Sequence, residues 1–199
     1  MPGADFLSTE LAEAGGSCFT SCRLHDDRAS SVRGPDALER IGPMIDHRTG
    51  ALILSDARIG QDLTRSSFLA TPMGSRARSD DMMTGWMHVY LPPQVLGDLT
   101  LAIDLVFEGE RLDGYRLSVI DAKYGTGWGD YSEEKQLAQR DAHDAWLEDT
   151  LGTGEREATP RGMELRYELA WGKAWSTFDA LGGSSNIGVR FRREGGLGT

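Results

Sequence analysis

Between Leu99 and Glu108 the chain alternates without a break. Leu99, Leu101, Ile103, Leu105 and Phe107 fall on one face, and Thr100, Ala102, Asp104, Val106 and Glu108 fall on the other. Period-two alternation of this length excludes a helix and describes a strand with one buried and one wetter face. Gly109-Glu110 follows as a turn, and Leu112 to Ile120 resumes with Tyr115, Leu117 and Val119 on one side. The pair predicts an antiparallel hairpin, which commits the chain to a half-buried antiparallel sheet.

Other segments supply neighbouring strands. Asp46-His47-Arg48-Thr49-Gly50 is a turn signal that leads into Ala51-Leu52-Ile53-Leu54, and Gly85 to Leu91 reads as a strand stopped by Pro92-Pro93. Met163 to Ala170 and Ser185 to Arg192 read the same way, with Ile187, Val189 and Phe191 inward. Thr64 is placed to cap a short helix carrying Phe68 and Leu69. Residues 73–84 and 153–162 are expected as loops, and 171–183 as an aromatic, Gly-rich connection.

One helix stands out, from Ser132 to Leu151. Asp130 or Ser132 can cap it, Glu133 and Glu134 suit its positive end, and Gly152 stops it. Ala138, Ala142, Ala145 and Trp146 share a face, which predicts that small alanines bring the helix close to the sheet while Trp146 supplies buried area. The stretch from Asp130 to Thr150 holds seven acids against Lys135 and Arg140. That is half of the chain's net charge of −10 in about a tenth of its length. Glu148 and Asp149 lie at the C-terminal end, where anions oppose the helix dipole, so solubility or a partner explains them better than helix stability does.

The acidic balance argues against nucleic acid and anionic membranes as partners and suits a basic protein. No apolar run approaches the ~18 residues that span a membrane. The N-terminus has Asp5 and Glu10 where a signal peptide would be basic and then apolar, so the cytoplasm is the expected location. Cys18 and Cys22 match neither a zinc nor a thioredoxin-type spacing.

Candidate chemistry is sparse. Gln139 and Leu147 occupy the positions four residues either side of His143, so a helical metal motif is not formed. Asp144 has Arg140 four residues before it, an expected surface ion pair. No G-x-S-x-G elbow occurs, and Gly182-Gly183-Ser184-Ser185 lacks the tail of a phosphate loop. No catalytic set, metal site or cofactor is expected. Two surfaces remain. The first is an acidic helix face for a protein partner: Glu133, Glu134, Asp141, Asp144, Glu148 and Asp149. The second is a Trp-lined ligand pocket floored by Trp171 and Trp175, with polar groups from His143 or Asp179.

The order of signals from Asp46 to Phe191 resembles a set of small, uncharacterised bacterial proteins associated with toxin–immunity and secretion-effector neighbourhoods. The residues that carry it are Asp46…Thr49-Gly50-Ala51-Leu52, Trp128-Gly129-Asp130-Tyr131-Ser132-Glu133-Glu134-Lys135, His143-Asp144-Ala145-Trp146-Leu147, Tyr167…Trp171-Gly172 and Asp179…Gly183-Ser184-Ser185-Asn186-Ile187. The resemblance implies no catalytic residues.

The sequence thus predicts an α+β fold: an antiparallel sheet of about five or six strands, with one main helix (about 132–151) packed on one face. Residues 1–43 are expected to be a flexible or loosely docked segment, 44–193 a single domain and 194–199 a frayed tail. The expected function is a non-enzymatic cytoplasmic protein-binding module, an immunity protein that neutralises a cognate, basic toxin. The alternatives are an enzyme or small-ligand binder using the Trp-lined pocket, and a structural subunit of a bacterial assembly.

Overall fold

The computed structural model describes residues 44–96, 99–125, 128–160 and 162–193. The expectations for the N-terminal segment, its two cysteines and the C-terminal tail lie outside these residues. The described residues begin with three short strands, β1 (Met44–Ile45), β2 (Leu52–Ile53) and β3 (Arg58–Ile59), and a helix α1 (Arg65–Leu69) capped by Thr64. Strands β4 (Arg78–Asp81), β5 (Trp86–Tyr90), β6 (Gln94–Leu96), β7 (Leu99–Glu108) and β8 (Arg111–Val119) follow. Helix α2 (Glu133–Leu151) then precedes β9 (Glu155–Thr159), β10 (Gly162–Leu169), β11 (Gly172–Asp179) and β12 (Ser184–Phe191).

The large sheet is antiparallel throughout, in the order β4-β5-β7-β8-β12-β11-β10-β9, with β6 also pairing β7. Two meanders, one on each side of α2 in the sequence, are joined edge to edge by β8 and β12. β1, β2 and β3 form a separate small sheet. The α+β expectation holds, but the large sheet has nine strands and not five or six. The additional strands are those expected as loops or connections. β4 (Arg-Ser-Asp-Asp) and β9 (Glu-Arg-Glu-Ala-Thr) are the two edges, where polar residues suffice and discourage further pairing. β11 buries Gly172, Ala174, Ser176 and Phe178, whose small sizes hide the alternation.

The predicted hairpin is β7 and β8, paired from Leu101↔Val119 to Glu108↔Arg111. The odd-numbered residues of β7 from Leu101 to Phe107 are buried, as are Tyr115, Leu117 and Val119 of β8. They join Val89, Leu165, Tyr167, Ile187, Val189 and Phe191 in one core beneath α2. Among the described residues no helix is long and apolar enough to cross a membrane.

The helix packs on one face of the sheet, but with a different stripe from the one expected. Ser132 caps it, accepting from the Lys135 N–H, and Gly152 ends it at φ 84°. Gln139, His143, Asp144, Leu147 and Leu151 are buried, whereas Ala138 and Ala145 are exposed and Ala142 and Trp146 lie at the shoulder. Close approach comes from small residues of the sheet, Ala174, Ser176 and Ser185, rather than from alanines of the helix. The polar stripe has a cause in the ladder. β12 pairs with β8 only as far as Ile187↔Leu117. Beyond that point the Val119 N–H donates to His143 Nε2 (3.1 Å), and Gln139 Nε2 donates to the Val119 carbonyl (2.7 Å). One turn of helix continues the hydrogen bonding where the strand stops, because buried backbone groups need partners.

Candidate functional site

Opposite α2, the sheet presents an open face. Across β5, β7, β8, β12, β11 and β10, one row runs Tyr90, Asp104, Arg116, Gly188, Trp175, Arg166, and the next runs His88, Val106, Gly114, Arg190, Lys173, Glu168. Trp86, His88, Tyr90, Asp104, Val106 and Trp175 are half-buried on this face, and Arg116 and Arg190 are exposed. The two glycines shape it. A Cβ at Gly188 would run into the Trp175 indole, so glycine lets that ring lie flat on the strand. At Gly114 a Cβ would strike the backbone of β12 at Val189.

A β-bulge adds a charge. Val106 pairs with Gly114 and Phe107 with Leu112, leaving Asp113 as the extra residue. Bulges re-aim side chains, and Asp113 is held by Arg190 Nε (2.9 Å) and Arg193 NH2 (3.1 Å) while only 6% exposed. Arg193 also pairs with Glu108 and sits 5.8 Å from the centre of the Trp86 ring. The cleft here, about 350 Å³, is lined by Trp86, His88, Asp113, Arg116, Trp175 and Arg190 among others. A second cleft, about 300 Å³, continues from it through Tyr90, Asp104, Ser118 and Asn186, and Arg116 lines both.

Within this face His88 Nδ1 contacts both carboxylate oxygens of Asp104, at 2.8 and 3.0 Å. Burial raises the Asp104 carboxyl above its usual range, and His88 works in the opposite direction. His88 stacks on Tyr90 at 6.0 Å, and Arg78 lies 4.4 Å over the Tyr90 ring. Asp104 faces Arg116 across the strands but gives its contacts to His88, so the Arg116 guanidinium has no ion pair among the described residues. Half-buried Trp and Tyr beside an uncommitted Arg is the composition of binding hot spots.

The residues singled out in the sequence are distributed differently. His143 is fully buried, its ring held near pKa 4 by burial, with Asp144 acting in the opposite direction. Trp171 is buried, donating from Nε1 to the His47 carbonyl at 3.0 Å. Trp175 lies on the open face, and Asp179 at the end of β11 accepts from the Leu181 N–H. Trp175 lines the cleft on the open face and Trp171 a different one, beside Arg48 and Arg58, and neither cleft is lined by His143 or Asp179.

Of the six helix acids, Asp144 is 4% exposed and bonded to Arg156 at 2.6 Å, not to Arg140 as expected. Glu148 shares Arg156, and Arg140 pairs with Asp141 instead. Glu133, Glu134 and Asp149 remain exposed, with no ion pair among the described residues. The open face was not legible in the sequence because its members come from six separate strands. The available signal was Trp86, His88 and Tyr90 on one strand and Asp104 and Glu108 on the next, all at even-numbered positions.

A third cleft, about 300 Å³, lies between the start of α2 and the β11–β12 turn and is lined by Tyr124, Tyr131, Gln136 and Ser184 among others. Its amides are committed to structure: Gln136 Oε1 accepts from the Ser185 N–H and Gln136 Nε2 donates to the Tyr124 carbonyl.

Comparison with protein-family models, curated proteins and solved structures gave no match.

Proposed function

We infer that this chain is a non-enzymatic, cytoplasmic protein-binding module, and that its partner docks on the open face of the sheet. The observation that carries this is the uncommitted Arg116 between Trp86, Tyr90 and Trp175, with clefts on both sides that would each accept a partner's side chain. Half-buried Trp86, Tyr90 and Trp175 supply the aromatic anchors that interfaces favour. Three of the six acids on α2, by contrast, spend their charge on arginines of this chain. The net charge of −10 still matters at long range, because it steers a basic partner toward the molecule before the face engages. The resemblance to proteins from toxin–immunity neighbourhoods supports the finer form of this proposal, an immunity protein bound to a cognate toxin.

The test is association with the product of the neighbouring gene, measured by biolayer interferometry. Arg116→Glu and Trp175→Ala should each weaken binding at least tenfold, about 1.4 kcal/mol or more. Reversing Glu148 and Asp149 should alter mainly the association rate and its salt dependence. If the helix reversals abolish binding while the open-face variants bind normally, the site belongs on α2. Absence of any complex with the unmodified chain would remove the immunity proposal.

A further inference from the structure

Another cleft, about 550 Å³, shares no residue with the open face and is lined by Arg48, Arg58, Arg111, Asp62, Gln61 and Trp171, together with Thr49. Three guanidinium groups thus meet one carboxylate in a chain whose net charge is −10. Asp62 is committed to Arg58 at 3.2 Å. The acids nearest Arg111 are committed too: Glu108, its cross-strand partner, to Arg193, and Glu110 to Arg65. Neither Arg48 nor Arg111 has an ion pair among the described residues; the Asp46 carboxylate, which attracts Arg48 at longer range, already accepts the Arg48 N–H.

The site stands on a fixed support. The turn carrying Arg48 is closed by Asp46, which accepts from the Arg48 N–H (2.8 Å) and, through its carbonyl, from the Gly50 N–H (2.7 Å). Trp171 clamps this turn by donating to the His47 carbonyl, and its ring packs where any Cβ on Gly50 would stand. Arg58 is oriented by Asp62 and by Thr49 Oγ1. Gln61 Nε2 donates to the Arg192 carbonyl, tying that wall to the end of β12. Guanidinium forks match the oxygens of phosphate and carboxylate groups, and preorganised donors lose little freedom on binding them.

We propose that this cleft binds a small, multiply charged phosphate ester, with Arg48 and Arg111 closing on the phosphate oxygens. The volume is in the range of small-molecule sites and exceeds what a bare ion fills. Arg58 contributes field and position, while Trp171 forms the apolar wall. This proposal is independent of the partner surface, because Arg116 lies in neither the cleft nor its walls.

Isothermal titration of the full chain with inorganic pyrophosphate tests it, with citrate as the carboxylate arm. The expected result is saturable one-to-one binding to pyrophosphate that weakens with salt and exceeds citrate binding at least tenfold. Arg48→Ala/Arg111→Ala should lose at least tenfold in affinity with an unchanged urea midpoint, since both side chains are exposed. Arg76→Ala, outside the cleft, should bind as the parent does. Equal affinity for citrate would overturn the phosphate assignment. No saturable binding, or undiminished binding in the double variant, would overturn the site.

Discussion

Acidification should destabilise this fold through His143, and the amount can be worked from its surroundings. Nε2 accepts the Val119 N–H, so the neutral ring carries its proton on Nδ1, which is buried without a partner among the described residues. Adding a second proton would place a cation in the core and turn Nε2 from acceptor to donor, facing another donor. Burial accordingly holds the pKa at about 4, against 6.5 for the free side chain, with Asp144 opposing. Above pH 6.5 neither state is protonated, and His143 imposes no pH dependence. As pH falls from 6.5 toward 4 the unfolded chain takes up a proton that the folded chain refuses. Stability is then lost at up to about 1.4 kcal/mol per pH unit. By pH 4.5 the loss is about 2–3 kcal/mol. His143→Gln removes this titration while leaving an amide that can still meet Val119. Urea unfolding of both proteins from pH 7.5 to 4.5, as approximate endpoints chosen to bracket the shift, reports the difference. The carboxyls raised by burial, Asp104 and Glu164, act in the opposite sense and cancel between the two proteins. Parallel pH profiles for parent and variant would refute the reasoning.

Three further outcomes follow from the packing. Ser176 is fully buried and its hydroxyl has no partner among the described residues; Ser176→Ala should be neutral or stabilising, and Ser176→Leu should cost about 1–3 kcal/mol by urea denaturation. Asp144→Asn discards the charge that meets Arg156, and should lower stability by about 1–3 kcal/mol, with non-additivity against Arg156→Ala in a double-mutant cycle. Gly188→Ala should push the Trp175 indole off the sheet, shifting tryptophan emission to longer wavelength in the parent background and leaving it unchanged in Trp175→Phe.

How much of this was legible in the sequence depended on whether burial and polarity coincided. They coincide in β7 and β8, where large apolar residues occupy each inward position, and the hairpin was readable there. They part company in β11. Its inward residues before Phe178 are Gly172, Ala174 and Ser176, while Trp175 points outward, so the largest residue marks the wrong face. The same inversion occurs on α2. Gln139 and His143 face inward because Val119 needs hydrogen-bond partners, a requirement set by where β12 stops pairing. That stopping point depends on residues more than sixty positions away, and a local pattern does not carry it. The Thr64 and Ser132 caps were readable because capping is local. The open face and the arginine cleft were not, since each is assembled from segments brought together only by strand order.

The joining of the two meanders through β8 and β12 has a consequence for synthesis. β8 is complete at Val119, but its neighbour in the sheet is the last strand of the fold, ending at Phe191. At roughly 5–20 residues per second, the ribosome leaves the edge of β8 without its partner for about 4–14 s. During that interval five strands of the large sheet, β4 to β8, wait with an open, apolar-backed edge, and pairing with a second nascent chain competes with the native strand. Substitutions that slow the emergence or docking of β12 should therefore lower yield in the cell before they lower the stability of the finished protein.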